Sequence, residues 1–307
     1  VIAEARTEVD ARLLIVTGTS QVFRELQLTS GEQFTDRTVD LEMPIRETQT
    51  IRAELRTTDG ADELLVGDRA TVGIGVSPDA VGVQFVEADS DAGFNYPYFL
   101  YTPAVDDARE VSLLVEPNNT GTGTDDFSEH RQAAEDLIER GTPRRIADAL
   151  QVPLLVPVFP RPRSDPVDWR HYTHQLDQDT VEIESGPLER IDRQLLAMVD
   201  HAIDQELTDT AYSFRTDVML NGFSASGNFV DRFTMLHPDR VMSVTAGGLN
   251  GMALLPLDEA AGHTLSYHVG IADIESITGS AVDLAAVSET NQFLYMGAED
   301  ENDTLPY

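Results

Sequence analysis

The sequence predicts an α/β protein: a mostly parallel sheet flanked by helices, preceded by a small β-rich N-terminal domain or sheet extension. Three observations carry this. From about Tyr96 onward, short apolar runs alternate with helical patterns, as in a parallel sheet covered on both faces. The first ninety residues instead hold short alternating stretches separated by turns, the texture of antiparallel strands. Finally, Val218–Pro238 (VMLNGFSASGNFVDRFTMLHP) reads as strand, sharp turn and helix in immediate succession.

Within residues 1–90 the strand candidates are Arg12–Val16, Val22–Leu28, Val39–Met43, Ile51–Leu55, Ala70–Ile74 and Val81–Val86. The polar, turn-rich Glu87–Gly93 (EADSDAG) is the expected hinge, which sets domains at 1–90 and 91–307. Beyond it, Tyr96–Thr102 and Val111–Glu116 read as buried strands, Phe127–Leu150 as largely helical, and Leu154–Phe159 as another strand. Leu188, Ile191, Leu195, Val199 and Ala202 mark one face of an amphipathic helix. Strands at Val218–Leu220, Val241–Thr245 and Phe293–Met296 complete the series. In such sheets, sites form beyond the carboxyl ends of the strands.

At 307 residues the chain suffices for one large domain, or for a domain of roughly 220 residues with a smaller partner. It opens at Val1 on a charged stretch, which reads as a processed or trimmed start. No apolar run approaches the ~18 residues of a membrane span. Acidic residues number 54 against 21 basic ones, all arginine, for a net charge of -33. Since 41% of residues remain hydrophobic, this is a folded chain under a carboxylate surface and not a disordered one. The composition resembles proteins of salt-loving archaea, where salt screens self-repulsion. Nucleic acid is excluded as a partner for want of a basic stripe. Cysteine is absent, so neither disulfides nor thiolate chemistry enter.

In the central stretch, Gly222-Phe223-Ser224-Ala225-Ser226-Gly227 sets one serine at the apex between strand and helix. A helix-capping serine explains such a turn without chemistry. The alternative is a nucleophile, held in a strained turn with small neighbours and a helix N-terminus aimed at developing negative charge. The pattern resembles the nucleophile elbow G-x-S-x-G of the α/β-hydrolase superfamily, with Ser226 in place of the last glycine and Gly227 one position later.

That resemblance implies further roles. The oxyanion donors are the backbone N–H of Ala225 and one from Pro117-Asn118-Asn119-Thr120-Gly121, with Asn119 or Thr120 the choice. Such donors contribute ~2.7–4 kcal/mol each; an asparagine-rich turn before a helix is the competing reading of that loop. The acid is Asp300, with Asp303 in reserve, after Phe293–Gly297, and it would orient a histidine and stabilise its imidazolium. The superfamily order is Ser, acid, His, yet no histidine follows Asp300 in this sequence. The expectation is that the histidine lies past Tyr307; His268, His263 and His174 (with His171) are the weaker candidates within the sequence.

Trp169 and Tyr172, with His171 and His174 (WRHYTH), form a cluster after the Leu154–Phe159 strand. With Phe223 they are expected to contact substrate, although a packed loop with satisfied histidines is the commoner explanation of such a cluster. No metal-ligand spacing and no glycine-rich nucleotide motif stand out, so neither a metal nor another cofactor is expected.

The GFSASG elbow and PNNTG loop are most similar to secreted esterases of the polyhydroxybutyrate-depolymerase and feruloyl-esterase sort. This implies a serine hydrolase forming an acyl-enzyme on neutral esters or polyesters, outside the cell of a high-salt organism. Two rivals stand beside it: a prolyl-oligopeptidase-like serine peptidase, and a catalytically inactive hydrolase-like binding protein lacking the histidine.

Overall fold

The computed structural model describes residues 2–4, 9–16, 21–28, 33–35, 49–57, 64–72 and 82–300, apart from 105–107, 120, 122, 165–172, 209, 211, 250 and 251. The chain divides into two compact units, one built on Val1–Val76 and one on Ser77–Ala104 and Ala108–Tyr307.

The first unit contains β1 (Ile2–Glu4), β2 (Val9–Val16), β3 (Gln21–Leu28), β4 (Gln33–Thr35), β5 (Gln49–Thr57) and β6 (Leu64–Val72). Strands β3-β2-β5-β6 form an antiparallel sheet in that order, and β1 pairs with β4. The candidate strand Val39–Met43 lies outside the described residues.

The second unit is a seven-stranded sheet ordered β17-β14-β13-β10-β11-β8-β7. Its strands are β7 (Gly82–Val86), β8 (Tyr98–Thr102), β10 (Leu114–Val115), β11 (Leu154–Pro157), β13 (Val218–Phe223), β14 (Val241–Gly247) and β17 (Asn291–Tyr295). From β17 to β11 every pairing is parallel; β8 runs antiparallel to both β11 and β7. This is the mostly parallel, helix-flanked α/β architecture that the sequence predicts. The expected boundary near residue 90 falls inside this unit, because β7 hydrogen-bonds along β8 as the edge strand of its sheet.

Local chemistry explains where elements break. The stretch Val111–Glu116 is not one strand: β9 (Arg109–Val111) pairs with β12 (Tyr212–Phe214), and β10 begins after Ser112 turns its hydroxyl to Asp217 at 3.1 Å. The helix expected over 127–150 is two, α1 (Phe127–Arg140) and α2 (Thr142–Leu150). Gly141 is extended between them, and a Cβ there would stand 2.5 Å from the Leu137 carbonyl oxygen. Asp126 caps α1 by accepting from the Ser128 N–H. Short elements fill the rest: α3 (Gln178–Val181), α4 (Ile191–His201), the β15–β16 hairpin (Glu259–Ala260, His263–Thr264), α6 (Ile274–Thr278) and α7 (Leu284–Glu289).

The organising helix is α5 (Ala225–Leu236), whose residues 225–235 are all buried. Phe229 stacks between Phe159, at 6.3 Å, and Phe233, at 6.2 Å, in a close-packed core with Phe94, Tyr98 and Leu113. A helix gripped along its whole length holds whatever sits at its N-terminus to a fixed position. At the far side of the sheet β17 is different: all five residues are exposed.

Candidate active site

Ser224 joins β13 to α5 with φ 60° and ψ −124°, a conformation that non-glycine residues rarely occupy and that the surroundings must impose. They do so through glycine. A Cβ on Gly222 would lie 2.3 Å from the Ser226 carbonyl oxygen, and one on Gly227 would lie 2.6 Å from the Gly247 oxygen. The Ser224 N–H donates to that same Gly247 oxygen at 2.8 Å, stitching the turn to β14.

The departure from the expected motif has its own role. Ser226 Oγ lies 3.0 Å from both the nitrogen and the carbonyl oxygen of Phe223. It accepts from one and donates to the other, so the hydroxyl braces the turn from inside. Sequence reading treats this serine only as a small residue; its position two after the apex is the signal.

Ser224 itself is exposed and makes no side-chain cap bond to α5. A capping serine has β-region backbone and spends its oxygen on the N–H of the second or third helical residue. Neither holds here, so the hydroxyl is presented to solvent above a helix N-terminus. Phe223, 57% exposed, flanks it, with its ring 6.2 Å from Tyr295. Tyr295 in turn covers Gly247, where a Cβ would meet its ring at 2.0 Å.

The loop after β10 lies against this turn. Asn119 Nδ2 reaches the Phe223 carbonyl oxygen at 3.4 Å, while its Oδ1 accepts from the Gly121 N–H at 3.2 Å. Asn118 is wholly buried and bonds both backbone groups of Phe159, donating at 2.8 Å and accepting at 3.0 Å. Arg161 Nη1 donates to the Gly121 oxygen at 2.7 Å, and Thr124 N–H to the Arg161 oxygen at 2.8 Å. The loop is thus fixed to the segment that follows β11 on one side and meets the turn on the other. Ala225 opens α5 and is buried. Thr120 lies outside the described residues, as do Trp169, His171, Tyr172 and Asp303.

Asp300 follows β17 in a tight turn, its N–H donating to the Gly297 oxygen at 3.1 Å, and it is exposed. The three histidine candidates sit elsewhere in the bonding pattern. His174 is buried with Nε2 at 2.8 Å from the Phe159 oxygen; desolvation drives its pKa down to about 3, so it is neutral. His268 accepts from the Gln178 N–H at 2.8 Å, and burial lowers its pKa to about 4. His263 lies exposed on the β15–β16 hairpin. Among the described residues none of these bonds Ser224.

One feature goes unforeseen by the sequence reading. Glu116, closing the apolar run of β10, is 6% exposed and accepts a hydrogen bond from Asn221 Nδ2 on β13. An acid ending a buried strand beside the elbow strand is the signal that finds it.

No protein-family model matches the chain, and neither does any curated protein. Among solved structures it is similar to poly(aspartic acid) hydrolase-1 from Sphingomonas sp. KT-1, with TM-score 0.47 and 17% identity over 74% of this chain and 77% of that one. It is also similar to a thermostable esterase, with TM-score 0.38 and 12% identity over 97% and 87%. An S-formylglutathione hydrolase from Staphylococcus aureus gives TM-score 0.39 and 11% identity over 73% and 92%.

Proposed function

We infer that the protein is a serine carboxylic-ester hydrolase that forms an acyl-enzyme through Ser224. The observation that carries this is the apex itself: an exposed hydroxyl on backbone with positive φ, free of capping duty, at the start of a helix buried over residues 225–235. That geometry supplies a nucleophile and, in the Ala225 N–H, a donor for the tetrahedral oxyanion. In this reading the loop holding Asn119 adds the second donor, and Asp300 would orient a histidine base. Attack of the Ser224 oxygen on the ester carbonyl transfers its proton to that base and expels the alcohol. Water then releases the acid. With a net charge of -33, the surface disfavours anionic substrates, so neutral esters and polyesters fit best. Among the described residues no helix is long and apolar enough to cross a membrane.

A second reading is favoured by one observation: among the described residues no histidine bonds Ser224. A hydrolase-like protein without a base would bind esters and not cleave them. Labelling with a fluorophosphonate probe in high salt decides between them. Wild-type labelling that disappears in Ser224→Ala establishes the nucleophile. No labelling, or labelling unchanged in that variant, overturns Ser224 as the nucleophile and favours the binding protein.

A further inference from the structure

Glu116, the residue after β10, and Asn221 on β13 are neighbours, one step beyond the Val115–Leu220 pair. Each stands just before a piece of the candidate site. Glu116 precedes the Pro117–Gly121 loop, and Asn221 lies three residues ahead of Ser224. The amide of Asn221 donates to a Glu116 carboxylate oxygen. Above this pair, the Asn119–Phe223 contact links the same two segments again. The other side of the loop is fastened by the Asn118 amide on the Phe159 backbone and by the Arg161 guanidinium on the Gly121 oxygen, neither of which bonds the elbow. Among the described residues, the bonds that join loop to elbow, Asn221 to Glu116 and Asn119 to Phe223, thus include one ionisable group, a carboxyl that is 6% exposed.

We propose that Glu116 is a positioning residue: through Asn221 it ties the oxyanion loop to the elbow, and its charge state sets how closely the two approach. This rests on Ser224 being the nucleophile only in so far as chemistry is read; the coupling itself is a property of the loop and turn. A neutral carboxyl shares a hydrogen bond with the amide and leaves the site without local charge. An ionised one places an unscreened negative charge beneath the atoms where an oxyanion forms, which opposes that charge.

The surroundings give this titration its place. On one side the same face of β11 contributes Leu154 and Val156; on the other, the same face of β13 carries Met219, Asn221 and Phe223. None is charged. Among the described residues burial pushes the carboxyl up to about 7, against the smaller lowering effect of Asn221. The group therefore changes charge near neutrality and not in acid.

The test follows backbone amide shifts of the 33.7 kDa chain by NMR in high salt from pH 5 to 9. In the wild type, Asn118, Asn119, Ser224 and Ala225 are expected to shift together through one transition near pH 7. In Glu116→Gln that transition disappears. In Asn221→Ala it moves to higher pH, since a bond favouring the charged form is lost. Amides on one side moving without the other, or the same transition persisting in Glu116→Gln, overturns the proposal whether or not Ser224 reacts. Fluorophosphonate labelling rates add the chemical consequence: above pH 8 the Glu116→Gln protein reacts roughly threefold or more faster than the wild type, as a removed buried charge requires. Superimposable rate profiles overturn the coupling to the oxyanion, while absence of labelling at Ser224 in both proteins counts against the hydrolase reading alone.

Discussion

Ser226 Oγ stands equidistant, at 3.0 Å, from the backbone nitrogen and oxygen of Phe223, so the residue that replaces a motif glycine is what closes the elbow. Two hydrogen bonds from one hydroxyl stabilise a turn that glycine would leave to its neighbours. Ser226→Ala is expected to lower stability by about 1–2 kcal/mol and to slow Ser224 labelling several-fold, measured by thermal melting and probe kinetics in the same salt. A variant as stable and reactive as the wild type would show that the brace is idle.

The two glycines of the turn make a harsher prediction. A methyl at Gly222 would overlap the Ser226 backbone, and one at Gly227 would press on the Gly247 oxygen that receives the Ser224 N–H. Backbone cannot yield as a flexible side chain does. Gly222→Ala is expected to destabilise by about 2–3 kcal/mol, the range of core overpacking, and to abolish labelling at temperatures where the fold survives. Circular dichroism with the probe assay separates the two effects.

Glu116 makes stability depend on pH in a direction opposite to that of most acids. Its folded value is raised from 4.5 to about 7. Its stabilising contribution is therefore complete below the unfolded value and lost as pH rises through the folded one. Between pH 4.5 and 8 the wild type should lose about 3 kcal/mol relative to Glu116→Gln. Denaturant melts of both proteins at several pH values check this. Parallel curves would mean the carboxyl is hydrated.

At the other end of α5, Asp192 is fully buried and bonded to His237 at 2.8 Å and to Arg190 at 2.9 and 2.6 Å. Burial pushes its carboxyl up, but the bonds from His237 and Arg190 outweigh that and hold it well below the usual range. A depressed folded value contributes stability above the unfolded pKa, lost only in strong acid. Asp192→Asn is expected to cost about 3–5 kcal/mol near neutrality by leaving Arg190 without its counter-charge, and progressively less toward pH 2. A deficit unchanged by acid would place the effect in packing.

What the sequence made legible were features whose causes are local. The elbow could be read because Gly222 and Gly227 are each demanded by atoms within a few residues or one strand away. The face of α4 could be read from its spacing, and the apolar strands from their runs. What escaped depends on partners far along the chain. Pairing of β9 with β12 joins segments a hundred residues apart through three residues each, too short for any periodicity. Glu116 meets Asn221 only because β10 is placed beside β13, an order no local pattern encodes. The break at Gly141 was hidden because helical patterns run on both sides of it. Asn118 was read with its neighbours as part of one loop, and only the structure shows it committed to the Phe159 backbone, leaving Asn119 turned toward the elbow.

The rim strand β17 carries a last consequence. Its sequence, NQFLY, has no charge, its side chains are open to solvent, and among the described residues it is hydrogen-bonded on one side only. Elsewhere the chain's surplus carboxylates hold neighbouring molecules apart, a guard that brine weakens. Salt that screens the carboxylates therefore weakens the guard over this uncharged strand, and association through β17 is expected to rise with ionic strength.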